Sequence, residues 1–126
     1  MKKIAAIALS ALIALPANFA LGGVGTGGFT GASGHQTSGH VEVVQTADGW
    51  EVHLKDDFKF DGAPDPRVGF GASGTFAAAT DFEPLRSNSG AQVYKVPASI
   101  DPANYDEVYI WCRQYSVPLG VAKLAE

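Results

Sequence analysis

The sequence predicts an all-β fold: an antiparallel β-sandwich of jelly-roll-like character, forming a single domain behind a cleaved signal peptide. Three observations predict it. Trp50–Leu54 alternates strictly between apolar and polar residues, and Val108–Arg113 places Val108, Ile110 and Cys112 on one face against Tyr109, Trp111 and Arg113 on the other. Turn-forming clusters of Gly, Pro, Asp and Asn separate short apolar stretches along the chain. No amphipathic helix of useful length can be drawn after the N-terminal segment.

The elements follow in chain order. Residues 1–22 read as a secretory signal peptide. Lys2 and Lys3 form its basic region, Ile4–Leu15 is apolar apart from Ser10, and small residues follow Pro16. The apolar run of about 12 residues is too short to span about 30 Å of hydrocarbon, so stable membrane insertion of the mature chain is not expected. Export to the periplasm, cell surface or medium is the expected localisation, and the short Lys-Lys signal looks bacterial. Eight of the chain's 15 glycines then fall between Gly22 and Gly39, and this stretch reads as a flexible leader running into the first strand. It fails as a nucleotide loop, because no Lys-Ser or Lys-Thr follows Gly28 and no helix opens after it.

Val41–Gln45 and Trp50–Leu54 read as a hairpin around Ala47-Asp48-Gly49. Asp61–Pro66 is a loop, Arg67–Gly71 a short strand, Thr75–Ala79 ambiguous, and Phe82–Leu85 an edge segment. Gln92–Val96 is a strand stopped by Pro97. Asp101 caps one helical turn with Pro102 at its first position. Val108–Arg113 and Ser116–Leu124 are the last strands. Trp50, Val52, Leu54, Val108 and Ile110 are the expected core. The expected organisation is therefore 1–22 signal peptide, 23–27 glycine-rich leader and 28–126 β domain.

Composition narrows the function. The 126 residues carry a formal net charge of −4, so there is no basic surplus to neutralise phosphates and a nucleic-acid partner is excluded. One cysteine excludes an internal disulfide framework. Cys112 has two readings: a small buried hydrophobe beside Val108 and Ile110, or a thiol used for redox or ligation. An unpaired thiol in an exported chain favours the second, and Arg113 supports thiolate only weakly because it points the other way. His35 and His40 flank Gln36–Gly39 and could approach one metal, whereas His53 sits on a polar strand face. Asp56, Asp57, Asp61 and Asp65 crowd one loop region. Their spacing is not that of an EF-hand, and exposed turn aspartates account for them. Covalent c-type haem attachment is excluded, since no Cys-x-x-Cys-His occurs.

Several segments together carry a family resemblance. His35–Val41 is followed by Leu54–Phe58, then Gly62-Ala-Pro64-Asp65-Pro-Arg-Val68. Gly90–Pro97 leads on to Val108-Tyr-Ile-Trp111-Cys112 and the run to Leu124. In order and spacing these resemble the DM-thirteen domain over residues 28–125. Members of that family are extracellular β-domains, found beside DOMON domains in Skeletor-like animal proteins and as small exported bacterial proteins. The resemblance implies a role in electron transfer. It also implies that the cysteine mapping onto Cys112 acts as a bare thiol or as a ligand to a group such as haem, with Trp111 and His35 as further cofactor-binding positions. The partner is then a separate redox protein. The alternative is a non-catalytic binding or structural module of the cell envelope, with an envelope protein as partner. Whether the chain is an enzyme stays open at this level.

The exported product should begin between about residues 18 and 24. Intact-mass measurement checks this, and a mature chain that keeps Lys2 and Lys3 would contradict it.

Overall fold

The structure is a computed structural model, and it describes residues 23–126. The expected signal peptide lies outside the described residues. Eleven strands run in chain order: β1 (Gly23–Gly31), β2 (Thr37–Ser38), β3 (His40–Thr46), β4 (Gly49–Leu54), β5 (Lys59–Phe60), β6 (Pro66–Ala72), β7 (Thr75–Phe76), β8 (Glu83–Pro84), β9 (Gln92–Val96), β10 (Glu107–Cys112) and β11 (Val117–Lys123). Single 3₁₀ turns cover Ala78–Thr80 and Pro102–Asn104, the second capped by the Asp101 carboxylate, which accepts from the Ala103 N–H at 3.0 Å.

All pairings are antiparallel, and nine strands form one sheet in the order β7-β6-β10-β11-β1-β3-β4-β9, with β8 also beside β6. β2 and β5 make a separate two-stranded ribbon. The sheet curls until its halves share one core. Val41, Val43, Val52, Leu54 and Tyr94 come from one half, and Val68, Phe70, Val108, Ile110 and Leu119 from the other; all are buried. The two sheets of the expected sandwich are thus two halves of one continuous sheet.

The strand shared by both halves is β1. Residues 23–28 pair with β3, and Phe29–Gly31 pair with β11. This corrects the reading of residues 23–27 as a flexible leader. The glycines are there because backbones crowd them: a Cβ at Gly27 would stand 2.2 Å from the Lys123 carbonyl oxygen, and one at Gly31 2.0 Å from that of His35. Composition alone reads such a stretch as a linker, whereas here glycine admits close backbone approach.

The expected β3–β4 hairpin forms, with Thr46 opposite Gly49, so that Ala47-Asp48 is its two-residue loop and Gly49 opens β4. Val52 and Leu54 face the core, while Trp50 is half-buried at its margin. β10 is covered on both faces. Val108, Ile110 and Cys112 enter the shared core, and Tyr109 is only 2% exposed on the other side. There Phe76 stacks on Trp111 at 4.1 Å and meets Tyr109 edge-on at 5.4 Å. The Tyr109 hydroxyl donates to Glu107 at 3.2 Å, and burial together with that carboxylate pushes its pKa up to about 12.

The free edges are patched by side chains. Along β6, between β7 and β8, the Thr80 hydroxyl accepts from the Phe70 N–H at 2.8 Å and donates to the Ala77 carbonyl at 2.7 Å. On β9, the Arg86 guanidinium donates to the Val93 carbonyl at 2.6 Å and lies 4.1 Å over the Tyr94 ring. Both devices occupy polar groups that would otherwise template further strands.

Ile110 is 0% exposed, so Ile110→Ala should cost about 2–5 kcal/mol in denaturant unfolding. A loss below about 0.5 kcal/mol, the size seen at exposed positions, would contradict its place in the core.

Candidate functional site

The site is built where β10 ends beneath the loop of residues 61–65. In β10, Cys112 pairs with Pro66 of β6 and Val117 of β11. Its side chain is 1% exposed. The Sγ–H donates to the Pro64 carbonyl at 3.2 Å, and the next residue's amide, Arg113 N–H, donates to the Asp65 carbonyl at 3.2 Å. Asp65 holds φ at +49°, the left-handed region that non-glycine residues seldom occupy, and Pro66 follows it directly. Two consecutive carbonyls thus turn toward the end of β10, and one of them receives the thiol.

The other end of the same loop is anchored to the segment of residues 35–39. Asp61 Oδ1 lies 2.9 Å from His35 Nδ1, and Asp61 Oδ2 accepts from the Gln36 N–H at 3.0 Å. The backbone adds a bond from Asp61 N–H to the Gln36 carbonyl at 3.1 Å. The Gln36 amide and the His35 ring hold the Asp61 carboxyl below its usual range. The His35 ring also lies 5.9 Å from that of Phe60. One short loop therefore ties together three segments that are remote in sequence: those around His35, Pro64-Asp65 and Cys112.

Arg113 is committed elsewhere. Its Nε donates to Asp81 at 3.0 Å, and Arg67 Nε donates to the same carboxylate at 2.7 Å. Burial alone would raise the Asp81 pKa, but the hydrogen bonds from Arg113 and Arg67 outweigh it and hold the group below the usual range. The cation beside Cys112 in sequence is thus neutralised by Asp81.

The expected site residues are only partly brought together. Trp111 lies on the opposite face of β10, against Phe76. His35 reaches Cys112 only through the loop. His35 and His40 do not converge on one ion. His40 Nδ1 instead lies 2.6 Å from Asp57, whose other oxygen accepts the His40 N–H at 2.8 Å. These bonds lower the Asp57 pKa. His53 pairs with Glu51 at 2.9 Å. Among the described residues, no group of three His, Cys, Asp or Glu side chains could hold a metal ion. Cys112 does not fit a haem ligand in this arrangement either: its sulfur is enclosed and faces a carbonyl, and the described clefts are lined by other residues.

Sequence reasoning missed Asp61 as the anchor of His35, the Pro64 carbonyl as the thiol's acceptor, and Phe76 and Asp81 as supports. Only Pro64-Asp65 left a sequence signal, through the resemblance.

The family profile described as "Electron transfer DM13" matches residues 28–124, most of the chain. The chain belongs to the DM13 family. No curated protein and no solved structure was found to match it. Within this DM13 domain the matched region contains both ends of the loop of residues 61–65 and all the residues it latches. Among the described residues, no helix is long and apolar enough to cross a membrane.

The lowered carboxyl of Asp81 sets the sign of a pH effect. A folded pKa below the unfolded value, about 3.9, adds stability that is present above the unfolded value and lost as pH falls through the folded one. Asp81→Asn should cost about 1–3 kcal/mol at pH 7 and flatten the acid limb of stability against pH. Urea unfolding of both proteins from pH 7 down to pH 3 checks this, and parallel pH profiles would contradict it.

Proposed function

We propose that this DM13 domain serves in electron transfer outside the cytoplasm, with Cys112 as a bare thiol covered at rest by the loop of residues 61–65. What supports the reading most is the partner of the sulfur. A cysteine that merely fills a core needs no polar partner. Cys112 donates instead to a carbonyl of a loop whose Asp65 is held at positive φ, and such strain clusters where function over-determines the backbone. The family description agrees with this role.

The chemistry we assign is exchange with a disulfide of a separate redox protein. A bond forms between Cys112 Sγ and one partner sulfur, and the partner's S–S bond breaks. The departing sulfur takes the electron pair and ends with the proton that Cys112 gives up. Cys112 and the attacked sulfur are then joined as a mixed disulfide, and the released thiol is the reduced product. His35 acts here as a positioning residue through Asp61, and Trp111 as one that holds β10 from its other face. No step runs through haem.

A second reading is a non-catalytic module of the cell envelope, and the 1% exposure of Cys112 favours it. The two differ in how the thiol becomes accessible. If the loop is a cover, native Cys112 should react with a soluble aromatic disulfide faster than global unfolding permits. Asp61→Ala should then speed labelling measurably, with circular dichroism unchanged. Cys112→Ser should abolish mixed-disulfide formation and keep the fold. Labelling that tracks the global unfolding rate in both the parent and Asp61→Ala overturns the redox reading in favour of the module.

A further inference from the structure

On the face of β10 opposite Cys112, a phenol and a carboxylate are buried together. Tyr109 is 2% exposed and Glu107 5%. The Tyr109 hydroxyl donates to Glu107 Oε1 at 3.2 Å, and the Gly74 N–H donates to both carboxylate oxygens, at 3.1 and 2.9 Å. Each of these hydrogen bonds is donated to Glu107, which holds the group as an acceptor facing the phenol. Burial and the carboxylate charge push the Tyr109 pKa up to about 12, so the phenol keeps its proton at neutral pH.

Strand register builds this face. Glu107 and Tyr109 stand opposite Gly71 and Gly69 of β6. A Cβ at Gly71 would lie 2.4 Å from Tyr109 Cε1, and one at Gly69 2.7 Å from Phe76 Cε1, so both rings rest directly on the β6 backbone. Trp111 continues the row. It is half-buried, stacks on Phe76 at 4.1 Å and lies edge-on to Tyr109 at 6.4 Å. Aromatic contacts thus run from an enclosed phenol to an indole that reaches the surface.

Packing does not require the polar pair. Phenylalanine at position 109 would cover β6 and need no acceptor, whereas a buried phenol and carboxylate cost desolvation. What the pair adds is chemistry. A phenol hydrogen-bonded to a carboxylate can lose an electron and pass its proton across the same hydrogen bond. The buried site then loses its one charge instead of gaining a second, which a low-dielectric interior favours.

We propose that Tyr109 is a one-electron redox site, with Glu107 as its proton acceptor and Trp111 as its route to the surface. The oxidant is a one-electron acceptor on a separate redox protein. It takes one electron by way of Trp111, Tyr109 becomes the neutral phenoxyl radical, and the hydroxyl proton ends on Glu107. The proposal rests on the electron-transfer reading of the domain and not on the thiol.

The test is flash-quench oxidation of the mature chain by photogenerated tris(bipyridine)ruthenium(III), read by transient absorption and electron paramagnetic resonance. A neutral tyrosyl radical should form, and Tyr109→Phe should remove it although the exposed Tyr115 remains. Glu107→Gln keeps an oxygen toward the phenol but accepts a proton poorly, so it should slow radical formation about 100-fold, the low end for a positioned proton acceptor. Trp111→Phe keeps a ring against Phe76 and should slow it too. In the parent itself the rate should fall in heavy water, because the phenol proton moves in the same step. The proposal fails if no tyrosyl radical forms, if the radical persists in Tyr109→Phe, if Glu107→Gln or Trp111→Phe forms it at the parent rate, or if heavy water leaves the parent rate unchanged. The two redox readings fail separately: disulfide labelling of Cys112 is read without light, and the radical is read without a disulfide.

Discussion

The fold depends on one strand in which five of nine residues are glycine. β1 lies between β3 and β11, and it is the only strand of the described sheet that belongs to both halves. Its neighbours approach so closely that a Cβ at Gly27 would overlap the Lys123 carbonyl. Glycine in a strand costs conformational entropy and contributes no side-chain packing. Two ladders of backbone hydrogen bonds offset that cost, and Phe29, the one large residue of β1, is buried in the core. A bulkier β1 would push β3 and β11 apart and open the curl that lets Val41, Val52, Val108 and Ile110 share one interior.

The candidate site inherits its position from that curl. β10 is held between β11 and β6, so Cys112 ends the strand at a fixed depth below the loop of residues 61–65. The loop is anchored twice, at Asp61 by His35 and Gln36 and at Pro64-Asp65 by Cys112 and Arg113. Neither anchor resembles a hydrophobic plug. The hydrogen bonds of the Asp61 anchor lie at the protein surface, so they contribute modestly and are open to competition from water. Between the two anchors the loop holds Asp65 at positive φ and packs Ala63 against the core.

The other extreme of the sheet is closed by the β3–β4 hairpin and β9. There Trp50, opposite Gln45 and Val96, is half-buried and packs on the margin of the shared core.

Local pattern was enough for most of the strands. Alternation in Trp50–Leu54 and Val108–Cys112 identified two core faces, because a strand that buries one face must alternate with period two. The Asp48-Gly49 signal marked the hairpin, and Asp101-Pro102 marked the capped turn, because both act over a few bonds. The motif around Cys112 located the candidate site and its family. Tertiary structure alone decided the rest. The glycine stretch reads as a linker in one dimension and becomes a central strand only when β3 and β11 close on it. Trp111 and Cys112 are neighbours in sequence yet face opposite sides of a strand covered on both. Asp61 meets His35, and the Pro64 carbonyl meets Cys112, across separations of 26 and 48 residues. No local rule reaches so far: such contacts arise from the curl of the whole sheet, and they turn a lone cysteine into a covered thiol.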